Sequence, residues 1–200
     1  MSVQVLKGLK VYKFGGTSVG GPDALRRVAE HVRAHRKPLV VVVSAMSGIT
    51  DGLLRAVEAA AQADRQTSET EQLAFHRRYA EAIAALISKK ALADEAKQAL
   101  DAAAFELQSM CQSVSVLREL TPRTRDAAVA RGERVLAQLF VGLLKSRGMK
   151  AAYVDATELI QTELRLGALW PDWKASLQNV KRQVLPLLRE RQVVVVPGFI

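Results

Sequence analysis

The chain has 200 residues, 49% of them hydrophobic and 24% charged, a balance that fits one soluble globular domain and excludes disordered and fibrous classes. Its net charge of +9, from 29 Lys+Arg against 20 Asp+Glu, leaves three readings: nucleic acid, an acidic small substrate, or a piece of a more neutral whole. Basic residues alternate with acids along helical stretches and no aromatic platform accompanies them, which argues against nucleic acid. A single cysteine, Cys111, cannot form an internal disulfide, and its helical setting points to buried packing. The N-terminus lacks a secretory pattern and the longest apolar run, Pro38–Val43, is too short to span a bilayer, so no membrane partner and a cytoplasmic location are expected.

The first element is a strand, LKVYKF (Leu9–Phe14), followed by the loop GGTSVGG. Pro22 and Asp23 open a helix whose Leu25, Val28, Ala29 and Val32 recur at i, i+3, i+4 and i+7. PLVVVV (Pro38–Val43) is apolar throughout, as a strand covered on both faces should be. Strand, helix and strand make a βαβ unit with parallel strands.

From about Gly52 to Arg147 the composition favours helix. Helices are expected near Gly52–Ala63, Glu71–Ser88, Leu92–Leu117 and Arg125–Arg147, with breaks at DRQTSET, SKKALAD and ELTPRT. Leu73, Tyr79, Ile83 and Leu86 with Leu100, Phe105 and Leu107 suggest the apolar face of a helical hairpin, inserted over about residues 64–120 as scaffold or subunit contact. After Gly148 the α/β rhythm returns: AAYVDA as a strand, a helix over Asp172–Glu190, then QVVVVPGF as a strand. The sequence ends at Ile200 straight after that strand. Functional loops follow strand ends in parallel sheets, so a truncated chain is expected.

Two loops carry candidate chemistry. Gly15-Gly16 permits a tight turn and close ligand approach, Thr17 and Ser18 add hydroxyl donors, and Lys13 stands at the strand end: a phosphate cradle, or else a glycine-rich turn without a ligand. It matches neither a Walker A loop nor a Gly-x-Gly-x-x-Gly fingerprint. SAMSGITD (Ser44–Asp51) occupies the same position after the next strand, with Ser44, Ser47 and Thr50 as donors near a helix N-terminus; taken alone, Ser44 or Thr50 is equally a helix cap. Two such loops at one sheet edge favour a site. His31, His35 and His76 lack ligand spacing and suit exposed or capping roles; no metal-ligating residue is assigned.

KFGGTSV, with SAMSGITD starting thirty-one residues after its lysine, resembles the aspartokinase signature of the amino-acid kinase superfamily. RGERVLAQLF around Glu133 resembles a third motif, and VVVVPGFI the strand before the next glycine-rich segment. The resemblance implies an αβα sandwich with a mainly parallel sheet and a helical insertion, cut before the nucleotide-binding half. It also implies ATP and Mg²⁺ as cofactors, L-aspartate as substrate, and a homo-oligomeric parent. Lys13, Gly15, Gly16, Thr17 and Ser18 would bind the phosphates, with Lys13 catalytic, while Ser44, Thr50 and Glu133 would hold aspartate. Spacing alone favours reading Glu133 as a solvated helix acid, flanked by Arg131 and Arg134 as salt-bridge partners; the resemblance reverses that preference. The competing reading is a non-catalytic amino-acid- or phosphate-binding module with the same fold. The 200 residues alone are expected not to turn over.

Overall fold

The computed structural model describes residues 6–35, 37–165 and 168–199. Valine-rich segments make its central sheet. Strands β1 (Lys10–Phe14), β2 (Leu39–Val43), β3 (Ala151–Tyr153) and β6 (Val193–Pro197) lie in the order β1-β2-β6-β3, all parallel. β-Branched residues suit such a sheet because both faces can be packed.

Alternation along β2 divides the core. Leu39, Val41 and Val43 join one cluster with α1 (Pro22–Ala34), α2 (Ile49–Ala61) and α5 (Pro122–Ser146). Val40 joins Val194 and Val196 in a second cluster with α6 (Ala156–Leu159) and α7 (Trp173–Arg189). Helices therefore cover both faces, the expected αβα sandwich. Each fully buried valine contributes roughly 1.5–2 kcal/mol of transfer free energy.

Helices α3 (Arg65–Leu86) and α4 (Lys90–Leu117) are joined by a three-residue connection and pack on each other, on α2 and on α5. Tyr79, Ile83, Leu86, Leu100 and Leu107 are buried in this hairpin as the periodicity indicates. Leu73 and Phe105, read as part of the same face, are instead 71% and 69% exposed. The break expected at DRQTSET is also wrong. Asp64 accepts a hydrogen bond from Thr67 N at 3.0 Å and caps α3, which runs straight through that polar stretch.

Past α5, the AAYVDA strand stops at Tyr153 because Asp155 turns the chain by capping the short α6. An antiparallel ribbon, β4 (Thr162–Arg165) with β5 (Ala168–Pro171), follows; the sequence reading placed no strands there. Cys111 is buried, and burial pushes its thiol pKa up, as for a packing residue. His35 caps the end of α1 and meets the Tyr12 hydroxyl through Nδ1 at 3.2 Å. Among the described residues no helix is long and apolar enough to cross a membrane.

Candidate active site

Level registers, Phe14 with Val43 and Val43 with Pro197, bring the C-terminal ends of β1, β2 and β6 to one edge. Three loops therefore leave side by side, where parallel α/β sheets place ligands. Backbone bonds continue the sheet into them: Ser44 N donates to Phe14 O at 3.1 Å and Gly198 N to Val43 O at 2.9 Å.

After β1, Gly15 O accepts from Ser18 N at 2.8 Å and Val19 N at 3.2 Å, and the fully buried Val19 anchors the turn. Ser47 Oγ donates to Gly16 O at 3.1 Å, joining the first loop to the second. A Cβ on Gly15 would meet nothing within 4 Å, and one on Gly16 only Ala45 O at 3.5 Å. The chain's own packing does not require these glycines. Among the described residues the amides of Gly16 and Thr17 meet no intramolecular acceptor. Open backbone, free amides and the exposed Lys13, Thr17 and Ser18 fit a phosphate chain.

After β2, Gly48 takes φ +75° and caps α2. This left-handed turn suits glycine and starts the helix at Ile49, three residues before the expected Gly52. Thr50 is half-buried at the second helical position, and its hydroxyl makes no hydrogen bond to the described residues.

Helix α5 supplies the acid. Glu133 Oε1 accepts from Ser44 Oγ at 2.9 Å and Oε2 from Phe199 N at 2.5 Å, so one carboxylate ties together the loops after β2 and β6. Arg131 and Arg134 do not pair with it. Arg131 Nε lies 2.7 Å from Glu106 and Arg134 Nε 3.2 Å from Asp155, because successive helical positions point away from the loop edge. Half-buried and without a cationic partner among the described residues, Glu133 keeps lone pairs facing the loops. It is not a solvated helix acid.

Two further residues place it, and the sequence reading missed both roles. Gly132 lets α5 press on the β2–α2 loop: a Cβ there would lie 2.8 Å from Ile49 Cγ2 and 3.1 Å from Ala45 Cβ. Tyr79, fully buried on α3, donates to Gly132 O at 2.6 Å. Burial raises its phenol pKa, so the hydroxyl stays a donor. A glycine inside a helical pattern was the available signal for the first. Nothing local marks the second.

The structure thus joins Ser44 to Glu133 and the first loop to the second. Lys13, Thr17, Ser18 and Thr50 share the edge without hydrogen bonding to that pair. Among the described residues no cluster of three or more His, Cys, Asp or Glu could hold a metal.

Such a loop edge is where open parallel sheets bind ligands, and the chain belongs to the amino acid kinase family, whose model matches residues 8–200. Within that family it is similar to aspartokinases. It is 31% identical over 195 residues to lysine-sensitive aspartokinase 3 of Escherichia coli (strain K12), covering 95% of this chain and 40% of that protein. It is 34% identical over 153 residues to the chloroplastic aspartokinase 3 of Arabidopsis thaliana, covering 74% of this chain and 26% of that protein. Escherichia coli aspartokinase III in complex with lysine and aspartate superposes with a TM-score of 0.79 at 27% identity, over 95% of this chain and 40% of that one. The same enzyme in complex with aspartate and ADP gives 0.77 at 27% identity and the same coverage. The chain therefore spans about 40% of the length of the Escherichia coli relative.

Proposed function

We propose that these residues form the amino-acid-substrate part of an aspartate kinase, which transfers the γ-phosphoryl group of ATP to the β-carboxylate of L-aspartate. The observation that carries this reading is Glu133 held between Ser44 Oγ and Phe199 N, an uncompensated carboxylate at the loop edge. An amino-acid ammonium is its natural partner.

Bound ATP supplies the γ-phosphoryl group. An aspartate oxygen forms the new P–O bond, the bond from the γ-phosphorus to the bridging oxygen breaks, and ADP leaves with that oxygen. The acceptor is already ionised, so the chain need supply no general base. Its residues align and compensate charge. Glu133 and Ser44 fix the ammonium, and Thr50 offers a hydroxyl to the substrate. Lys13 with the amides of Gly16 and Thr17 takes up charge on phosphate oxygens, while Gly15 and Gly16 admit them close to the backbone. Mg²⁺, bound with the nucleotide, would supply further positive charge to the phosphates beside Lys13.

The same reading carries a homo-oligomeric, cytoplasmic parent without nucleic acid as partner. It treats residues 1–200 as the substrate part with the helical hairpin of about 64–120 as an insertion, and holds these residues alone to be inactive. Replacing Glu133 by Gln in the full-length protein tests the assignment. Aspartate affinity should fall at least tenfold with nucleotide affinity within about twofold. Equal losses for both ligands, or none for aspartate, would leave Glu133 a structural acid.

A further inference from the structure

Ser47 stands beside the start of α2 yet does not cap it; its hydroxyl is spent on the neighbouring loop, donating to Gly16 O at 3.1 Å. Gly20 makes room for that bond. A Cβ there would lie 2.5 Å from Ser47 Oγ, 3.1 Å from Gly16 O and 3.4 Å from Ser47 Cβ. Gly20 does not take a left-handed φ, so space beside the hydroxyl, not backbone freedom, is what its missing side chain provides.

The bond also fixes a peptide plane. A peptide unit is planar and trans, so its C=O and N–H point in opposite directions. The carbonyl of Gly16 shares its plane with the amide of Thr17. Holding Gly16 O towards Ser47 therefore turns the Thr17 N–H away from the β2–α2 loop, where it meets no acceptor among the described residues. The preceding plane is held by the loop's own turn: Gly15 O accepts from Ser18 N at 2.8 Å and Val19 N at 3.2 Å, and the Gly16 N–H on the opposite side meets no acceptor either. Two consecutive amides are thus aimed through their carbonyls, the first by backbone and the second by a side chain from another loop.

We propose that Ser47 is a positioning residue for the phosphate loop: by holding Gly16 O it sets the Thr17 amide that receives a phosphate oxygen, and Gly20 supplies the space this requires. The proposal rests on the phosphate-binding reading above. Ser47 does not touch the nucleotide. It acts by pinning an amide beforehand, so that less orientational freedom is lost when the anion arrives.

The test titrates MgATP, and separately aspartate, into full-length wild type, Ser47→Ala, Ser47→Thr, Gly20→Ala and the double variant of Ser47→Ala with Gly20→Ala. Binding of MgATP to wild type checks the phosphate reading by itself, and its absence would overturn both. Given that binding, Ser47→Ala should raise Kd for MgATP about threefold to tenfold and leave Kd for aspartate within about twofold. Ser47→Thr keeps the hydroxyl and should recover most of the loss. Gly20→Ala drives the hydroxyl off Gly16 O and should match Ser47→Ala, while the double variant should bind little worse than either single one, because both remove one contact. Losses that multiply in the double variant, an unchanged MgATP affinity in Ser47→Ala, or an equal loss for aspartate would each overturn the proposal.

Discussion

Gly132 and Ile49 approach so closely that a Cβ on the glycine would lie 2.8 Å from Ile49 Cγ2. This contact sets the distance between α5 and the β2–α2 loop, and so places Glu133 against Ser44. Gly132→Ala should destabilise the fold by about 1–3 kcal/mol, because the Ala45 and Leu53 side chains close the other exits. It should also weaken aspartate binding by displacing the carboxylate. Denaturant midpoints with aspartate titrations check both; an unaltered affinity would detach the glycine from the site.

Tyr79 secures the same turn of α5 from the other side, donating to Gly132 O from full burial. Tyr79→Phe removes that hydrogen bond while the carbonyl keeps its helical partner within α5, and should cost about 0.5–1.5 kcal/mol at neutral pH. The native phenol is held protonated chiefly by burial, so its pKa lies above the ordinary value of 10.0. The unfolded chain therefore ionises first as pH rises, and stability is full below the ordinary phenol range and lost above it. Tyr153, raised by burial and by its bond to Asp155, acts in the same direction. Chemical denaturation across the alkaline range should show a falling stability whose slope is shallower in Tyr79→Phe.

Lys13 is exposed at the end of β1 and has no ion-pair partner among the described residues. Removing it should leave the fold intact. In the full-length protein Lys13→Ala is expected to lower kcat/KM at least about a hundredfold by withdrawing charge from the phosphoryl group in flight. Circular dichroism beside steady-state kinetics separates the two effects, and near-normal turnover would remove Lys13 from the chemistry.

These residues also show which physics a sequence exposes. Strand runs such as LVVVV, the helix opened by Pro22 and the two hydroxyl-glycine loops are local signals, set by propensity and periodicity over a few residues. They gave the sheet, the first helix and the loop edge. The ribbon of β4 and β5 was missed because its short strands mix exposed polar and apolar residues without a buried face. Asp64 was read as part of a break because an acid in a polar stretch signals either a loop or a cap, and only the Thr67 amide decides. The third side of the site depends on contacts between residues 53 to 89 positions apart, Tyr79 with Gly132 and Ser44 with Glu133. No local pattern encodes those pairings. The motif resemblance drew attention to Glu133 but not to the glycine and tyrosine that aim it.

In the proposed function this loop edge delivers an amino acid's side-chain carboxylate to a phosphoryl donor. The direct measurement incubates full-length protein with MgATP and candidate acceptors, traps any acyl phosphate with hydroxylamine and measures the hydroxamate beside released ADP. Equal amounts of hydroxamate and ADP are expected with L-aspartate, little of either with L-glutamate, and loss of both in Lys13→Ala. ADP release without a trapped aspartyl hydroxamate, or a clear preference for another acceptor, would contradict that function.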